Sequence, residues 1–169
     1  MSMRDHLQQM SDFLGRNVYY DFILAHGREY PIGPNTYAGP RGEPKGCFMN
    51  ATHLAQMDRR MTYCEGKTSS ILGVPIDHAW CIDPDGIVVD PTLDSLMLDG
   101  TKRECEYFGV PLRTDYVLRA IKLNKIYGVL DFFYAGKTAP KLFELGLEAG
   151  QQWLLDQPVT KRTRKRRAA

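Results

Sequence analysis

The sequence predicts an α+β fold, and three observations carry that prediction. Apolar residues recur at helical spacing near the N-terminus and again from Cys47 onward. Between these stretches lies a segment dense in proline and glycine, which belongs in a loop. Downstream, two apolar runs flank Asp83-Pro84-Asp85-Gly86, a turn sequence suited to joining antiparallel strands. The order helix, loop, helix, hairpin, further helices keeps the two kinds of element apart along the chain, as α+β proteins do.

In residues 3–15, Met3, Leu7, Met10, Phe13 and Leu14 form one helical stripe, with Gly15 as the stop signal. Residues 18–24, rich in aromatic and β-branched side chains, are compatible with a strand or a second helix. Residues 31–46 hold four prolines and four glycines, so a loop is predicted; a connection this long inside a domain is usually functional or mobile. From there Cys47, Phe48, Ala51, Leu54 and Ala55 share one helix face. Asn50, Gln56, Asp58 and Arg59 fall away from it. Residues 61–66 and 71–76 read as short extended pieces, and 78–83 with 87–92 as a hairpin. Residues 107–112 read as a strand or loop ending at a turn. Val117, Ile121, Leu123 and Ile126 fit a helix after Asp115, and Pro140 suits the first turn of a last helix reaching residue 155. The organisation predicted is a single α+β domain over residues 1–160 and a basic, disordered tail over 161–169.

A chain of 169 residues can bury a core without staples. With 43% hydrophobic and 25% charged residues it has the composition of a soluble globular protein. No apolar run approaches the ~20 residues that span a bilayer, and the polar N-terminus holds no apolar signal core. The expectation is a cytoplasmic protein with no membrane partner. An even count of cysteines (Cys47, Cys64, Cys81, Cys105) would allow two disulfides in a secreted chain, but without a signal peptide free thiols are expected. No CxxC or HxxxH spacing points to zinc, and no metal or cofactor is expected. The tail from Lys161 to Arg167 carries six positive charges, and subtracting them from the net +2 leaves −4 for the body. Such a run is commonly a solvated tail; its alternative use is contact with nucleic acid or another acidic partner.

Three residues carry the chemistry. A cysteine at a helix start, as predicted for Cys47, meets the positive end of the helix dipole, which favours the nucleophilic thiolate. The N–H groups there can also donate to an oxyanion, and Gly46 allows close approach of a substrate. The turn Asp83-Pro84-Asp85-Gly86 implies a three-residue hairpin loop with Gly86 left-handed. Asp83 then opposes Ile87, so that paired positions sum to 170 and Trp80 faces Asp90 while His78 faces Thr92. His78, Trp80 and Asp90 share one face, and His78 and Asp90 become diagonal neighbours. A loop with an even number of residues would send Asp90 to the other face. Taken singly, Cys47 reads as a small buried hydrophobe, His78 as a core histidine and Asp90 as a turn residue before Pro91. Together they match a nucleophile, its base and an orienting carboxylate. Asn35 and Tyr37, in the loop before Cys47, are candidates for a further oxyanion donor. Tyr63-Cys64-Glu65-Gly66 reads as a strand that either lines the site or is structural. His6, His26 and His53 have no evident partner, and His53 is turned away from Cys47.

Gly46-Cys47-Phe48 with Ala51 resembles the nucleophile motif of transglutaminase-like proteins within the papain-like cysteine protease superfamily. His78-Ala79-Trp80, then Gly86, then Val89-Asp90-Pro91-Thr92 is similar to the second half of that pattern. The likeness covers about residues 44–93, with Phe48 standing where the family usually has tryptophan. It implies a papain-like (transglutaminase-like) fold, with the nucleophile on a helix N-terminus packed against a small antiparallel sheet and additional helices. It further implies a catalytic triad of Cys47 as nucleophile, His78 as base and Asp90 as orienter. The function expected on these grounds is acyl transfer through a thioester at Cys47. Hydrolysis of an amide, peptide or isopeptide bond in a protein or small molecule is favoured over transfer to an amine, since transfer needs a site that keeps water out. The competing readings are a non-enzymatic module binding nucleic acid through the tail, and a structural zinc protein.

Overall fold

Local signals start the first helix, and tertiary contacts choose its face. In the computed structural model, which describes residues 2–15, 18–33, 39–40, 42–69, 74–96 and 105–130, Ser2 and Asp5 form a capping box at the start of α1 (Met3–Phe13). Met3 and Leu7 are buried, and Ser11 continues their stripe, donating to Asp21 at 2.6 Å. Phe13 is 84% exposed and Leu14 is also exposed, so the apolar stripe is shorter than its periodicity predicts. Gly15, with φ of 68°, ends the helix as expected. Residues 18–24 resolve as helix: α2 (Val18–His26) buries Tyr19, Phe22 and Ile23 in the core.

The described strands are β1 (Arg28–Glu29), β2 (Thr62–Ser69), β3 (Pro75–Ile82), β4 (Val88–Val89) and β5 (Tyr107–Leu112). They form a curled antiparallel sheet in the order β1-β5-β2-β3-β4, and with the helices make the α+β architecture. Proline inside β5 is tolerated for a positional reason. The Tyr107 carbonyl accepts from Tyr30 N–H on the β1 side, so by alternation Pro111 also turns its missing donor that way. β1 pairs only with Phe108 and Gly109, and no ladder bond is lost.

The two faces of the sheet carry separate cores. Tyr63, Ala79, Cys81, Phe108, Val110 and Leu112 meet the helices, including α3 (Cys47–Met57) and α5 (Thr114–Asn124). On the opposite face Cys64, Trp80, Ile82, Val88 and Tyr107 pack with Tyr30, Leu93 and Cys105. Gly109 admits the Trp80 ring there, because a Cβ would lie 2.5 Å from it. On α5, Val117 is buried as predicted, but Leu123 is exposed.

The hairpin keeps the predicted register. Cys81 pairs Val89 and Ile82 pairs Val88, and Gly86 has φ of 79°. Gly86 N–H donates to the Asp83 carbonyl, and Asp83 Oδ1 accepts from Asp85 and Ile87 N–H. The ladder is shorter than 87–92, however, because β4 ends at Val89. Trp80 faces Asp90 and His78 faces Thr92 only by extrapolation of the register, not as strand pairs. Asp90 instead accepts from Thr92 and Leu93 N–H, which turns the chain into the single helical turn α4 (Leu93–Leu96). The edge of β3 at His78 therefore has no strand beside it among the described residues. Among these residues no helix is long and apolar enough to cross a membrane. The predicted helix 140–155, the domain boundary at residue 160, the tail 161–169, and Asn35 and Tyr37 lie outside the described residues.

Candidate active site

The open edge of β3, the start of α3 and the turn after β4 converge on one place. Cys47 is the first residue of α3, following Gly46 as cap. The first N–H groups of any helix lack acceptors within it. Here no side chain fills that role at the cap, since Gly46 has none. Gly42 N–H donates to the Pro91 carbonyl at 3.1 Å, which ties the approach to Cys47 to the residue after Asp90.

His78 and Asp90 are 2% and 0% exposed. His78 Nε2 and Asp90 Oδ2 are 2.7 Å apart. Tyr107 donates its hydroxyl to the same oxygen at 2.8 Å, while Oδ1 takes Thr92 and Leu93 N–H, both at 2.9 Å. Four donors offset the desolvation of this carboxylate. With Nε2 committed to Asp90, Nδ1 is the ring nitrogen left for the Cys47 side chain, which lies near enough to act on the imidazole. Burial opposes a charge on the ring, but the carboxylate of Asp90 and then the Cys47 side chain outweigh it. The His78 pKa is raised from 6.5 to about 10. The Trp80 ring lies parallel to the imidazole with centroids 6.2 Å apart, and Tyr107 approaches both rings at an angle. These aromatic rings wall the pair on its sheet side.

The other thiols differ from Cys47, which is half-buried. Cys64, Cys81 and Cys105 are buried. Burial pushes the Cys64 and Cys81 thiols up, and Cys81 donates to the Ala51 carbonyl at 3.2 Å. Among the described residues no group of three or more His, Cys, Asp or Glu is arranged to hold a metal. His53 is exposed and lies 3.2 Å from the Tyr127 hydroxyl, and His26 packs on the Phe22 ring.

Three polar residues at or behind the site escaped the sequence reading. Asn50, assigned by periodicity to the outer face, is buried. Its amide bonds the Glu43 backbone and Thr92 Oγ1, partners that helix periodicity does not count. Tyr107 lies in a stretch whose sequence suits a strand or a loop ending at a turn, and neither signals its bond to Asp90. Glu65, in the segment left open between lining and structural, is structural. Its buried carboxylate accepts from Tyr63 hydroxyl and from Val129 and Leu130 N–H. That fixes the residues beside Gly128, where a Cβ would lie 3.3 Å from the Phe48 ring next to Cys47. A groove of about 280 Å³ lined by Met49, Asn50, Leu54, Met57, Pro40 and Pro91 runs along the outer side of α3.

Compared with known proteins, the chain matches no family model, no curated protein and no solved structure.

Proposed function

We propose that the protein is a cysteine-nucleophile acyl-transfer enzyme with a papain-like, transglutaminase-like fold, hydrolysing an amide, peptide or isopeptide bond. One observation carries this reading: the buried His78 ring is paired with the Asp90 carboxylate at 2.7 Å and lies near enough to the half-exposed Cys47 thiol, at a helix start, for the two to act on each other. A structural histidine needs no nucleophile on its second nitrogen.

In the reaction proposed, His78, its pKa raised to about 10, already holds the proton of the Cys47–His78 pair near neutral pH, and the Cys47 sulfur attacks the substrate carbonyl as the thiolate. N–H groups at the start of α3 donate to the oxyanion. As the intermediate collapses, His78 gives the proton to the leaving amine and a thioester remains. Water, deprotonated by His78, then attacks the thioester and releases the acid and the thiol. Asp90 holds the ring with Nε2 protonated throughout, and Tyr107 and the α4 start hold Asp90. An amine in place of water gives a transferase from the same thioester. The substrate is a protein or small-molecule amide.

The test is alkylation of the protein at about pH 6, where an ordinary thiol is nearly all protonated, with the modified residue mapped. Fast labelling confined to Cys47 and slowed by His78→Ala is expected. Equal labelling of all four cysteines, or none at Cys47, overturns the reading.

A further inference from the structure

We propose that Asn50 is a positioning residue that sets the distance between the Cys47 thiol and the His78 ring by latching α3 onto the Asp90 turn. This inference rests on the reading above and adds to it a residue whose side-chain hydrogen bonds go to Glu43 and Thr92.

Asn50 lies one turn after Cys47 on the same helix and is 6% exposed. Its amide nitrogen donates to Thr92 Oγ1 and to the Glu43 carbonyl, both at 2.8 Å, and its oxygen accepts from Glu43 N–H at 3.1 Å. Both donors and one acceptor site of the amide are therefore used. The Glu43 contacts hold both polar groups of one residue at the head of the turn that enters Cys47. Glu43 carbonyl also accepts from Gly46 N–H, and Lys45 within that turn has φ of 63°. The Thr92 contact reaches the other side of the site, because Thr92 N–H donates to Asp90 Oδ1.

The bonds form a chain. From Cys47 it runs along α3 to Asn50, across to Thr92, to Asp90 and to His78, the ring on which the Cys47 side chain acts. Gly42 seals it, since a Cβ there would lie 2.3 Å from the Asn50 amide nitrogen. Helix α3 does not need this latch to stay packed, because Ala51, Leu54 and Ala55 bury its inner face. Those apolar contacts tolerate small slides along the helix axis, whereas a hydrogen bond fails over a few tenths of an ångström. A misplacement of about 1 Å can cost about a hundredfold in rate.

The test measures iodoacetamide alkylation of Cys47 in the full chain at about pH 6 and about pH 9.5, where the imidazole matters most and least for ionising an ordinary thiol. Thr92→Val keeps the shape and removes the acceptor; Thr92→Ser restores it; Asn50→Ala removes the latch. Thr92→Val and Asn50→Ala are expected to slow labelling about tenfold or more at the lower pH and less than about twofold at the higher. Thr92→Ser should return to within about twofold of the parent. The double variant should be no slower than Asn50→Ala, as expected for one shared contact. If Asn50→Ala does not fold, the Thr92 pair decides. Labelling unchanged at both pH values, or slowed equally at both, overturns the positioning role. Failure of the parent protein to label selectively at Cys47 overturns the proposed function instead.

Discussion

Asp77 and His78 are neighbours on β3 that face opposite sides of the sheet, and each belongs to an ion pair 2.7 Å long. On the helix side Lys67 Nζ meets Asp77 directly across the ladder, with Tyr19 donating to the carboxylate and both Tyr19 and Tyr20 rings 5.8 Å from the ammonium. On the other side His78 meets Asp90, which is held by Tyr107 and the α4 start. The pairs share length and low exposure, and they differ in what can change. Lys67 and Asp77 close on each other and on aromatic rings, which suits a permanent contact between β2, β3 and α2. His78 is the one partner of the four whose unperturbed pKa is near neutral, and the Cys47 thiol lies near enough to act on it. A buried ion pair becomes a candidate for chemistry through its titratable member and the group on that member's free side, not through its length.

The strongest way to break the contrast is Asp90→Asn. It should lower turnover, or Cys47 labelling at about pH 6, by about 10²–10⁴-fold, because the ring loses both its charge partner and its fixed tautomer. The same variant carries a pH signature. The His78 pKa rises from 6.5 to about 10 on folding, so its charge stabilises the fold fully below pH 6.5. That stabilisation fades as pH climbs toward about 10. The gap in thermal midpoint between parent and Asp90→Asn should narrow over that window, and a gap that widens would contradict the assignment. Next in size is Asp77→Asn, which leaves a buried ammonium without its carboxylate and should cost about 3 kcal/mol in denaturant unfolding. Labelling of Cys47 should stay within about twofold in the folded variant, since that pair touches no reacting atom. The smallest effect belongs to Tyr107→Phe. Loss of the hydroxyl donor to Asp90 should cost about 1 kcal/mol in denaturant unfolding and lower the His78 pKa in an NMR titration only slightly.

Where an element depended on neighbours a few residues apart, it was readable. The turn from Asp83 to Gly86 is closed by bonds within five residues, and those bonds set the register that pairs Cys81 with Val89. The start of α3 at Cys47 follows from a proline- and glycine-rich entry and helical spacing after it. Where partners came from far away, the reading failed or stayed open. Periodicity put Asn50 outside, while Thr92, 42 residues later, draws it in. It put Phe13, Leu14 and Leu123 on helical positions that are exposed among the described residues. The role of Glu65 waited on N–H groups 64 and 65 residues downstream.

The sequence by itself determined the α+β order, the helix that begins at Cys47, and the hairpin register that brings Asp90 toward His78. These follow from backbone preferences and turn chemistry, which act over a few residues. Only the tertiary structure decided that β4 stops after two residues, so that no described strand lies beside His78 on that edge of β3, and that Tyr107 and Asn50 brace the site from β5 and α3. Those outcomes depend on which distant polar groups find each other once apolar surface is buried. In that setting an unpaired donor or acceptor costs more than local spacing preferences can outweigh.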